Sequence, residues 1–293
     1  MQSNNPVFTR NEAFNGHAAG HQTPYGQQGY GYGQTQTADP YGQYGDPATW
    51  GTGAPVQQPS AGRMTIDSVV QKTAMTLGVV VLFAMLTWVG LGQTDAAGNM
   101  STEDFGRLSL ATMAGTGIAF VLSLVNSFKK VVSPGLVLAF AAAEGVALGG
   151  ISKIFDLQFA GSGVVSGAVI GTMAAFAGTL AAYKYFAIKV SDKFRRGVVA
   201  GMFAMVGLSL MSLVLSLFGV NIGLFSGGLG AILSVVGLVL GIFMLIMDFD
   251  FVEQGIAYGL EERQSWTAAF AMTVSLVWIY TNLLRLLAFF QQD

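Results

Sequence analysis

The sequence predicts an all-α membrane bundle of about seven transmembrane helices, with a polar tail in front. Three observations carry this. Of 293 residues, 52% are hydrophobic and only 10% charged, against about 25% charged in a typical soluble domain. The mean hydropathy is +0.55 although residues 1–62 are almost wholly polar, so the rest is more apolar still. Beyond Thr73 the apolar residues fall into successive runs, each about long enough to cross a ~30 Å hydrocarbon core.

The tail, residues 1–62, includes TPYGQQGYGYGQTQTADPYGQYGDP. With so few aliphatic side chains it cannot bury enough apolar area to offset the entropy of ordering, and it reads as a disordered, solvated tether. Its Tyr-Gly pairs offer weak self-association as a second reading. His17 and His21, the two histidines of the chain, read as spacers rather than metal ligands. No basic n-region or short apolar run marks a signal peptide, so insertion is expected to start at the first internal helix.

Residues 63–293 form the transmembrane domain. The apolar runs predict helices at about 73–91, 108–127, 131–152, 163–187, 197–219, 226–247 and 266–289. None alternates with the period of two that a barrel strand needs. Short links make sequence neighbours antiparallel neighbours. Gly145/Gly149, Gly163/Gly167/Gly171, Gly197/Gly201 and Gly237/Gly241 repeat at the four-residue spacing that lets helices approach closely in lipid.

Lysine and arginine placement orients the array. With the tail in the cytoplasm, eleven of the 14 basic residues lie on that side, and Arg107, Lys153 and Arg285 lie opposite. The N-terminus is therefore expected inside the cell membrane and the C-terminus outside, with membrane lipid as the surrounding partner.

Composition also excludes functions. A net charge of −2 argues against a nucleic-acid partner. The absence of cysteine removes disulfides, thiolate metal sites and cysteine nucleophiles. There is no GxxxxGK, GxSxG or HExxH, and no histidine in the membrane part, so an enzyme is not expected. Carboxylates remain. Glu144 stands near the middle of the third helix, where an ionised group costs about 3 kcal/mol on insertion scales and should face the bundle interior. It reads as a hydrogen-bonding group between helices or as a proton- or ion-linked one. Asp248, Asp250 and Glu253 crowd the expected cytoplasmic end of the sixth helix, where three acids repel one another or invite a cation. Their hard oxygens suit Ca²⁺. The simpler reading is a solvated helix end, and no resident cofactor is expected.

Four segments in order, SNNPVF, AEGVALGGIS, LIMDFDFVEQG and WTAAFAMTVSLVWIYTNLLRLLAFF, resemble the Bax inhibitor/YccA family of TMBIM-type membrane proteins, in the branch with an N-terminal NPVF motif. The resemblance implies a bundle with six helices around a central seventh, and a pH-modulated cation (calcium) leak or sensor. It also implies a sensor made of two aspartates sharing a proton, one ending the sixth helix and one within the seventh. The first maps onto Asp248, with Asp250 the less natural choice. The second is replaced here: one alignment puts Ser275 there and another puts Asn282. Asp248 is then left to pair with Asp250 or to hydrogen-bond Asn282 as a neutral amide. The YccA side of the family implies an alternative, a non-conducting regulator that binds a membrane protease of the FtsH type or a translocon component.

The orientation has a direct check. A reporter active only outside the cytoplasm, fused after Asp293, is expected to be active; activity solely of a cytoplasmic reporter would leave six spans and a re-entrant segment instead of seven.

Overall fold

Seven helices account for nearly all of residues 62–291, which the computed structural model describes apart from 96–97, 130–131, 187, 221–222 and 224–226. They are α1 (Ile66–Leu91), α2 (Thr102–Phe128), α3 (Pro134–Gln158), α4 (Val164–Phe186), α5 (Asp192–Leu217), α6 (Gly227–Ala257) and α7 (Gln264–Phe289). All seven are long and apolar enough to cross a membrane. The expected tail and the C-terminal Asp293 lie outside the described residues.

Several helices extend past the apolar runs that announce them. α1 starts at Ile66, because Thr65 and Ser68 cap its first turn reciprocally, each side chain accepting from the other's backbone N–H at 3.1 Å. Such a box satisfies donors that a helix start leaves open. Ser101 and Ser191 cap α2 and α5 by accepting one backbone N–H each, from Asp104 and Phe194. α6 continues to Ala257, so Asp248, Asp250 and Glu253 lie within its last turns and not at its terminus.

The outer faces are bare hydrocarbon. Leu110 and Met113 on α2, and Phe203 and Leu217 on α5, are between 71% and 79% exposed. A soluble protein would not show so much contiguous apolar surface; the chain is an integral membrane protein and these faces meet lipid. α7 is the hub of the interior. It packs against α1, α3, α4 and α6, while α2 leans on α3 and α5 on α6. Three apolar clusters converge on α7, around Met272 and Ile279, around Leu284, and around Phe270.

At the end of the bundle where α1 begins, the chain before α1 is clasped to the α6–α7 turn. Met64 N–H donates to the Leu260 carbonyl at 2.7 Å, and Glu262 N–H to the Gly62 carbonyl at 2.5 Å. Met64, 2% exposed, packs beside Gly255 and Leu260. Lys72 bonds the Glu262 carboxylate at 2.9 Å and its carbonyl at 3.0 Å, and the Ser68 and Ser265 hydroxyls meet at 2.7 Å.

The clasp separates a truncation from a point substitution. Removing residues 1–60 is expected to leave insertion and melting temperature nearly unchanged, whereas Met64→Ala, which empties the buried plug, costs roughly 2 kcal/mol. A loss on truncation as large as that of Met64→Ala would mean that the tail docks.

Candidate functional site

In lipid, apolar side chains gain little by meeting one another, and close helix packing depends on shape. α6 supplies that shape with Gly237 and Gly241. A Cβ at Gly237 would fall onto the side-chain amide of Asn282, and one at Gly241 would lie 2.7 Å from Ile279 Cγ1 and 3.0 Å from Trp278 Cδ1. The indole N–H of Trp278 donates to the Gly237 carbonyl at 2.8 Å, locking the antiparallel register of the two helices.

That register brings Asp248 to Ser275. The Ser275 hydroxyl donates to Asp248 Oδ2 at 2.5 Å, and Ser275 is fully buried. Asn282, two turns farther along α7, is buried by Gly237 and donates to the Trp278 carbonyl of its own helix at 2.8 Å. Of Ser275 and Asn282, Ser275 is the one that touches Asp248.

The other two acids turn elsewhere. Residues two apart on a helix do not face each other, so Asp250 does not pair with Asp248. It is 7% exposed and accepts from Arg195 of α5 at 3.2 Å and from Gln254 at 2.7 Å. Glu253, a turn beyond Asp250, accepts from the Tyr183 hydroxyl of α4 at 2.5 Å. Among the described residues no three His, Asp or Glu side chains gather where they could hold a metal ion. The acid-rich stretch thus ties α6 to α4, α5 and α7 by three separate contacts. Arg195 and Tyr183 are the participants that sequence reasoning missed as partners. Their only sequence signal is a polar side chain near a helix end, with nothing to name the acid it meets.

Glu144 is half-buried in the middle of α3 and makes no hydrogen bond or ion pair with another described residue. Of the two readings of this residue, the interhelical hydrogen bond has no partner among the described residues. Phe140, one turn before it, packs edge-on to Phe270 at 5.0 Å, and Ser152, two turns after it, bonds Tyr280 at 2.6 Å. Glu144 is therefore level with about residues 272–274 of α7, within a turn of Ser275. Two carboxylates, on α3 and α6, reach nearly the same depth on different sides of the hub helix.

A family model described as Bax inhibitor 1 like matches residues 5–292 of the chain. No curated protein matches it.

The Asp248–Ser275 contact makes a ranked prediction. Ser275→Ala leaves the inserted carboxylate without its donor and is expected to cost about 1–3 kcal/mol, read as a lower melting temperature in detergent. Asn282→Ala, which removes only a bond within its own helix, is expected to cost less; the reverse order would contradict the pairing.

Proposed function

Because the chain belongs to the Bax inhibitor 1 like family, we propose that it is a membrane leak or sensor for cations, with Asp248 as the residue whose protonation sets its state. The observation that carries this reading is the contact of Asp248 with Ser275 on the hub helix, 2.5 Å long and inside a membrane span. A carboxylate kept at such a position is costly and marks an ion or proton path by default.

The chemistry follows from the partner. A serine hydroxyl donates to a carboxylate and accepts from a carboxylic acid, so it bonds either form. Gaining a proton removes the charge that attracts a cation while leaving the α6–α7 contact in place. A second carboxylate in place of Ser275 would couple the two titrations and sharpen the response. Calcium is the cation the family resemblance implies. It would pass by or be sensed at Asp248, with the bundle in the cell membrane, its N-terminus in the cytoplasm and its C-terminus outside.

The alternative, a non-conducting regulator engaging a membrane protease of the FtsH type, draws support from the clasp. Residues 62–64 join the tail to the turn between the two helices that carry Asp248 and Ser275, so a partner pulling on the tail would act on that turn.

Reconstituted vesicles distinguish the two. Calcium flux that falls as pH falls, and that becomes insensitive to pH in Asp248→Asn, is the expected result. Ser275→Asp is expected to move the midpoint of the wild-type response to higher pH, because two adjacent carboxylates resist ionising together. Equal pH dependence in wild type and Asp248→Asn would remove Asp248 from the mechanism, and absence of any flux would favour the regulator.

A further inference from the structure

On the side of α7 away from α6, a pocket of about 280 Å³ lies between α1, α3, α4 and α7. α1 and α4 do not pack on each other, and the opening between them faces lipid. Val81 of α1 and Val169 of α4 line the pocket and are about half exposed, forming its two lips. Gly149 and Ala84 leave its floor shallow in side chains.

Among the described residues no charged side chain lines this pocket, and its hydroxyls are already bonded within the protein. Ser152 donates to the Leu148 carbonyl and meets the Tyr280 hydroxyl at 2.6 Å. Thr172 donates to the Ala168 carbonyl at 2.7 Å. Water entering it would find few partners, and apolar cavities of this kind stay dry and take apolar molecules. Nearby charge fits one source for such a molecule. The α1 wall ends at Trp88, and the Lys153 ammonium, on a side chain only 9% exposed, lies 4.9 Å from the centroid of that indole, in a long 3.4 Å pair with Asp156. A cation and an indole above an apolar slot match the order of a phospholipid, headgroup over chain.

We propose that this pocket is a binding site for one acyl chain of a membrane phospholipid, with Lys153 and Trp88 at the level of its headgroup. The chain enters between α1 and α4 and rests on Leu276 and Val277, which directly follow Ser275 on α7. Occupancy then props the hub helix from the face opposite Asp248. The site stands independently of any ion flux.

Native mass spectrometry of the whole protein in mild detergent, equilibrated with palmitoyl-oleoyl phosphatidylglycerol and washed, tests this. The wild type is expected to retain one lipid. Val169→Trp and Val81→Trp, which close the mouth from opposite lips at exposed positions, are expected to lower that retention at least tenfold, while Leu213→Trp on the bare face of α5 keeps it. Melting curves of delipidated wild type provide a second reading, independent of any variant, and should show a rise that saturates near one equivalent of the lipid. Equal retention in all four proteins, or a melting temperature that climbs without saturation, would mean general solvation by lipid and overturn the site.

Discussion

Between α6 and α7 there is no room for a side chain at Gly237 or Gly241, and most of what distinguishes this bundle follows from that seam. Hydrocarbon on every outer face means that burying a leucine between helices gains little over leaving it in lipid. Register must come from surfaces that fit in one way. The two glycines admit the Asn282 amide and the Ile279 side chain, and Trp278 bonds the carbonyl that Gly237 leaves accessible. Sliding α7 by a turn would drive these groups into α6 backbone. The same seam sets Ser275 against Asp248 three turns away, so a polar contact inside the membrane is positioned by apolar packing rather than by its own strength.

The periphery reinforces that arrangement at the end where the chain enters the bundle. Lys72, Ser68 and Met64 fasten the start of α1 to the α6–α7 turn, and Arg195 and Tyr183 hold the last turns of α6 from α5 and α4. Among the described residues, Asp248 alone of the three α6 acids has no cation or link to the periphery; it meets the hub helix through a hydroxyl. α7 thus receives a carboxylate contact on one face and lines an apolar pocket on another. Anything that shifts this helix acts on both.

The helices were legible because an apolar run of membrane length has few other uses, and the four-residue glycine spacing marked the α3 and α6 seams correctly. Gly145 and Gly149 lie against the α1 backbone at Val80 and Ala84, as Gly237 and Gly241 lie against α7. Gly197 shows the limit of the pattern, since open space surrounds it. Helix ends were less legible. Hydropathy falls at Asp248, but backbone hydrogen bonding does not, and α6 runs on to Ala257. The choice between Ser275 and Asn282 could not be made from one chain for a geometric reason. Seven residues are two helical turns, so both project from the same face of α7 toward α6, and only the depth set by the glycine seam separates them. Glu144 lies mid-helix as its place in the apolar run implies, and hydropathy alone could not say whether it bonds a neighbouring helix or serves a proton.

The register of α6 against α7 can be read directly, because the chain contains no cysteine to confuse the result. Oxidative crosslinking in membranes of Asp248→Cys combined with Ser275→Cys should close a disulfide rapidly, whereas Asp248→Cys with Asn282→Cys should remain reduced. Crosslinking of the second pair in preference to the first would place Asn282 at the carboxylate and contradict the account.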